Sequence, residues 1–162
     1  MNSKINPKNN KISLNRKKTY LKMILNSVGT KIFRNLYSFK ENNSETQDIL
    51  ENGNLSCAVF VSSILFLNGL VNSQHAVVDS VIEDLKKKGW KKIQEEEIEK
   101  GSIIVWGKGI FSTGSEHKHI GFYIGNKKAI SNNTNKGFPI IHNWKKNNKG
   151  IESIWIKKDL LN

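Results

Sequence analysis

The stretch SCAVFVSSILFL, residues 56–67, is apolar nearly all the way round a helix. Such a helix has no face to offer water, so it predicts a buried central element that the rest of the chain must cover. Asn68-Gly69 supplies its stop. The 162 residues suffice for one domain with a real core and are too few for two comfortable ones. Covering elements are readable on both sides. From Thr19 to Phe39 the apolar residues Leu21, Ile24, Leu25, Val28, Ile32, Phe33, Leu36 and Phe39 recur at three- and four-residue steps. That spacing predicts an amphipathic helix, open to interruption at Gly29. Polar residues 40–54, ending in ENGN, predict a loop. Ser73 or Gln74 opens a further helix, HAVVDSVIEDLKKKG, acidic early and basic late as the helix dipole prefers, with its end at Gly89. After Trp90 the chain reads as strands: SIIVW (102–106), HIGFYI (119–124), KAIS (128–131), FPII (138–141) and IESIWI (151–156), set apart by Gly, Asn and Lys turns. Helices first and an antiparallel sheet afterwards is an α+β pattern.

Charge divides the chain unevenly. Residues 1–40 carry ten Lys/Arg and no Asp/Glu, whereas residues 41–162 carry 16 basic and 14 acidic groups. The body is close to neutral at +2, and +10 of the net +12 belongs to the N-terminal arm. Residues 1–17 are polar and aperiodic, which predicts a disordered basic leader before a domain over 18–162. Such an arm can attract an anionic polymer or a membrane surface, with nucleic acid the less favoured partner. No stretch approaches the ~20 apolar residues of a spanning helix. YLKMILNSVG (20–29) is a poor signal peptide, because Lys22 and Asn26 break its apolar run. The expectation is a cytoplasmic protein or one exported by a non-standard route.

The chain's single cysteine, Cys57, falls in the first turn of the central helix. Unpaired N–H groups and the positive dipole end there stabilise a thiolate, and the same groups can stabilise an oxyanion. The competing reading is a small buried side chain. A base is available on HIGFYI, where alternation puts His119, Gly121 and Tyr123 on one face. A glycine beside His119 would let a helix end approach and the imidazole reach the sulfur. A third group should orient that ring. The hairpin turns at Gly125-Asn126-Lys127, where a two-residue loop brings Asn132 to the His119 face and a three-residue loop brings Ser131. Both stay open, with Asn132 preferred. His117 shares the His119 face and is a rival base or a cleft-entrance residue. His117, Trp106 and His142 are candidate substrate-facing residues. His75 reads as a helix-start residue. One Cys and four scattered His lack the paired spacing of zinc sites, so no metal and no cofactor is expected. GKGIFSTGS (107–115) is glycine-rich, but it does not stand where a phosphate loop would.

SCAVFV (56–61), GSIIVW (101–106) and HIGFYIGN (119–126), in this order, resemble the NlpC/P60 superfamily of papain-like cysteine peptidases, with its D-C-S-G-F-V box, G-D-[IL]-V-F-[WF] strand and H-[VI]-G-[IF]-Y-[IL]-G-[ND] strand. The resemblance spans roughly residues 50 to 132, and the histidine strand is its specific part. It implies a papain-like fold with Cys57 as nucleophile and His119 as general base. Gap-free counting puts the family's third polar residue at Ser131, while the related CHAP amidases favour Asn132. Ser56, Ala58, Val59 and Ser102 depart from the family's Asp, Ser, Gly and Asp. The implied activity is hydrolysis of amide bonds, foremost in peptidoglycan stem peptides, through a thioester. Two other readings stand beside it: a non-catalytic binding module using the basic arm, and a thiol amidase or acyltransferase with a non-wall substrate.

Overall fold

A computed structural model describes residues 13–41, 44–110, 116–145 and 150–161. Its elements run α1 (Arg16–Asn26), β1 (Tyr37–Phe39), β2 (Thr46–Asp48), α2 (Cys57–Leu67), α3 (Val78–Lys87), β3 (Lys91–Ile93), β4 (Ile103–Ile110), β5 (Glu116–Gly125), β6 (Lys128–Asn133), β7 (Phe138–Asn143), β8 (Ile151–Ile156) and α4 (Lys158–Leu161). The fold is α+β, as the order of patterns predicts. Six strands form one antiparallel sheet in the order β3-β8-β4-β5-β6-β7, and β1 pairs only with β2.

α2 is the central helix, with every residue from Ala58 to Leu65 buried. Phe60 meets Phe122 of β5 edge-on at 5.5 Å between ring centroids. Tyr20 of α1 meets the same ring from another side, and its buried hydroxyl donates to Gly101 O at 2.9 Å. Ile103, Val105, Ile120 and Ile130 complete this core on the helix-bearing face of the sheet. The two serines inside the apolar helix are satisfied by the loop before α3. Ser62 Oγ accepts from His75 N–H at 2.9 Å, and Ser63 Oγ accepts from Gln74 Nε2 at 2.8 Å.

Several boundaries differ from the sequence reading: β4 to β7 run longer than their predicted segments, β1, β3 and α4 have no counterpart in it, and three further differences have a visible cause. The helix predicted over 19–39 ends at Asn26. Gly29 adopts φ 77°, and its N–H donates to Pro139 O at 2.9 Å, which turns the chain away. Beyond it only Phe33 is buried, while Ile32 and Phe39 are 76% and 73% exposed, so no second apolar stripe exists for a helix to bury. The predicted loop 40–54 contains β2. α3 starts at Val78, because residues 72–75 are engaged by a side chain. Buried Asp84 accepts from Asn72 N–H, Ser73 N–H and the His75 ring. Burial raises the Asp84 pKa, but these bonds outweigh it and the net direction is down. His75 is thus part of an interior carboxylate cluster rather than a helix-start residue. Of the predicted 1–17 leader, residues 1–12 lie outside the described residues, and Arg16 and Lys17 open α1. Among the described residues no helix is long and apolar enough to cross a membrane.

Candidate active site

Cys57 is the first residue of α2 and is half-buried, behind the fully buried Ser56. The N–H groups of this first turn have no acceptor within the helix. The chain reaches Cys57 through an unusual loop in which Glu51, Asn52 and Gly53 all have positive φ (51°, 54° and 91°). Several contacts hold this loop. The Asp48 carboxylate accepts N–H bonds from Leu36, Leu50 and Asn52. Arg34 Nε donates to Asn52 O at 2.9 Å. Gly53 lies backbone to backbone on Gly137 of the β6–β7 turn, where a Cβ on Gly53 would come 2.6 Å from Gly137 Cα and O. Burial pushes the Asp48 pKa up, yet its backbone and side-chain hydrogen bonds prevail and bring it down to about 2.

Cys57 opens on a cleft of about 370 Å³ that His119, His117, Lys118 and Asp79 also line, with Leu50, Leu55 and Val77 as apolar wall. Lys118 Nζ bonds Asp79 and Glu152, each at 2.8 Å, and these two hydrogen bonds raise its pKa. His117 is exposed and lines the cleft.

His119 pairs directly with Trp106 across β4–β5. Both lie on the face of the sheet opposite α2. Trp106 is 2% exposed, its indole N–H donates to Trp144 O at 2.8 Å, and its ring packs against those of His119 and His142. It is a buried platform under the two imidazoles rather than a substrate-facing surface. Gly121 also sits differently from expectation. The space it leaves is filled by Ser131 Cβ and the Trp106 ring, not by a helix end.

The His119 ring is engaged by Ser131. His119 Nε2 lies 2.8 Å from Ser131 Oγ, and Ser131 Oγ lies 2.7 Å from His142 Nε2. The register explains why Ser131 is there. The turn is a two-residue one, with Asn126 and Lys127 at φ 52° and 55° between the paired Gly125 and Lys128. A bulge then shifts the pairing between Gly125 and Tyr123, so that Tyr123 faces Ala129 and Gly121 faces Ser131. One extra residue reverses the parity of the strand. Ser131 therefore joins the His119 face, and Asn132 turns to the helix face. There Asn132 is 2% exposed and its Nδ2 donates to Gly53 O at 2.6 Å. Of the sequence candidates, Cys57, His119 and His117 share the cleft. Ser131, His142 and Trp106 gather around the His119 ring, and Asn132 is tied to the Cys57 loop. Sequence reasoning missed the Ser131–His142 contact and the Gly53–Gly137 contact, both made by hairpins whose register no local motif announces.

A sheet-borne histidine and a cysteine at the start of a buried helix thus line one cleft, in the chain order His after Cys. The chain belongs to the Amidase_5 family, described as bacteriophage peptidoglycan hydrolase, whose model matches residues 50–157. Among solved structures, NlpC2 from Trichomonas vaginalis is similar in fold, with a TM-score of 0.54 at 16% identity over 90% of this chain. This chain spans 49% of that protein's length. A comparison with curated proteins returns no match.

Proposed function

We propose that the protein is a cysteine amidase or peptidase that cleaves an amide bond in peptidoglycan stem peptides, with Cys57 as nucleophile, His119 as general acid–base and Ser131 as the group that orients His119. The observation that carries this reading is the shared cleft: Cys57 at a helix N-terminus and His119 on its wall, with Nε2 of that ring held by Ser131. Family membership supports the substrate class.

In this reading the Cys57 Sγ proton passes to His119, and the thiolate attacks the scissile carbonyl carbon. The carbonyl oxygen takes the negative charge and is met by the N–H groups of the first turn of α2. Collapse of the adduct breaks the C–N bond as the His119 imidazolium gives its proton to the leaving nitrogen. A thioester remains on Cys57. His119 then removes a proton from water, the hydroxide oxygen bonds to the acyl carbon, and the C–S bond breaks. Thiolate and imidazolium are thus restored, and no other group need be consumed.

The test is release of new amino groups from purified peptidoglycan by the wild type, Cys57→Ala and His119→Ala. Each variant should fall by at least ~10³-fold, as expected for members of a catalytic unit. Unchanged hydrolysis by Cys57→Ala would end the reading.

A further inference from the structure

The hydrogen bonds around Ser131 have a fixed direction, and it can be traced from one end. His142 Nδ1 lies 2.7 Å from Asn143 O. A carbonyl only accepts, so that nitrogen carries the proton. In the neutral ring Nε2 then holds a lone pair. The Ser131 hydroxyl, 2.7 Å away, must donate to it. Its single hydrogen being spent, Ser131 Oγ can only accept from His119 Nε2, at 2.8 Å. Ser131 is 0% exposed, so water does not offer its hydroxyl an alternative partner.

We infer that His142 is a positioning residue: through the Ser131 hydroxyl it fixes the His119 proton on Nε2 and leaves Nδ1 as the nitrogen that exchanges a proton with Cys57. A serine alone would not do this. A hydroxyl donates or accepts with equal ease, and with no acceptor behind it would as readily donate to His119 Nε2 and force the proton onto Nδ1, where it cannot take one from a thiol. The inference rests on the Cys57–His119 reading proposed above.

A pH dependence follows. Protonated His142 carries hydrogens on both nitrogens and cannot accept from Ser131. The buried hydroxyl hydrogen loses its partner, and two cations then face each other across one hydroxyl whenever His119 is an imidazolium. Protonation of His142 therefore opposes the charged His119 that the reaction needs. Among the described residues, the other charged or titratable groups lining the cleft with His119 are Cys57 of α2, Asp79 of α3, and His117 and Lys118 of its own strand, with Lys118 paired to Asp79 and to Glu152 of β8. Near the end of β7, Lys145 is paired with Glu95, and Lys128 stands opposite Asn143.

Two variants separate the acceptor from the titration. His142→Gln offers a neutral acceptor where Nε2 stood, and His142→Phe keeps a ring against Trp106 without an acceptor. The first measurement is ¹⁵N NMR of histidine-labelled Cys57→Ala chains, in which no thiolate can hold His119 charged. Neutral His119 should be the Nε2–H form both with His142 in place and in the His142→Gln chain, where an acceptor for Ser131 remains. In the His142→Phe chain it should be a mixture of both tautomers. The second is the rate of iodoacetamide alkylation of Cys57 against pH in chains that keep the thiol. His142→Phe should react about tenfold more slowly near neutral pH, the worth of one hydrogen bond of ~1.4 kcal/mol. His142→Gln should stay within about threefold of wild type and lose one proton from the acid limb of the profile. Identical tautomers and identical alkylation profiles in all three chains would overturn the role of His142. An alkylation profile that His119→Ala leaves unmoved would instead overturn the Cys57–His119 reading, while the tautomer measurement would still decide the Ser131–His142 chain.

Discussion

The two faces of the sheet are built from alternate residues of the same strands, yet different physics holds each. On the helix face Val105, Ile120, Phe122 and Ile130 pack against Tyr20 and Phe60, and burial of apolar area is the driving term. On the other face His119, Ser131 and His142 form a hydrogen-bonded chain over the Trp106 indole. Packing tolerates apolar substitutions of similar volume, whereas a directed chain of hydrogen bonds does not. The helix face therefore determines that this sheet forms. The site face depends on register, and one bulge between Tyr123 and Gly125 decides which residue meets His119.

The two faces are coupled where the Cys57 loop meets the β6–β7 turn, and breaking that joint should give the largest effect. A Cβ on Gly53 would overlap the Gly137 backbone at a position whose φ of 91° already disfavours a side chain. Gly69 has φ 68° with nothing within 4 Å, so its substitution isolates the backbone cost, about 1 kcal/mol. Gly53→Ala should cost ~3 kcal/mol or more in urea unfolding, with Gly69→Ala as reference. Equal losses in the two variants would mean that the close approach contributes nothing.

What was legible in the sequence follows the same division. The central helix, the strand β8 and the α+β order came through because an all-round apolar segment and strand alternation are local patterns. Cys57 and His119, which line one cleft, could be picked out because each sits on such a pattern. Ser131 against Asn132 could not be decided, since the answer lay in a bulge that adds one residue beside a turn of the expected length. The segment 30–39 misled because its apolar spacing is helical while its side chains stay largely exposed. The late start of α3 was hidden because the carboxylate that holds residues 72–75 lies nine to twelve residues onward, at Asp84.

Ser131 and Asn132, neighbours on opposite faces, offer a sharper comparison of intermediate size. Ser131→Ala removes a hydroxyl from the chain to His119 and leaves the helix face untouched. It should slow Cys57 alkylation by about tenfold and shift stability by no more than ~1 kcal/mol. Asn132→Ala removes the bond to Gly53 O, whose carbonyl lies in the loop leading to Cys57. It should cost about 1–2 kcal/mol in unfolding and change alkylation less than Ser131→Ala does. Among the described residues the Asn132 Oδ1 is buried without a donor, so removing it recovers part of the loss. The opposite ranking, with Asn132→Ala the slower thiol, would place the orienting role on the residue favoured by simple hairpin counting.

The smallest effect tests how firmly the Cys57 loop is held from its other side. Asp48 gathers the N–H groups of Leu36, Leu50 and Asn52, and its folded pKa of about 2 lies below the ordinary value of 3.8. A carboxyl group with a depressed folded pKa stabilises the fold above the unfolded value, and the contribution disappears as pH falls through the folded one. The stabilisation should be complete above pH ~4 and should vanish between there and pH ~2. Because the carboxylate is partly open to solvent, its size should stay near ~1 kcal/mol. Urea midpoints of wild type and Asp48→Asn should differ by a constant amount from about pH 5 to 7 and converge toward pH ~2. A gap that ignores pH would mean that the amide replaces the carboxylate on these N–H groups by shape alone, and that charge plays no part in holding the loop.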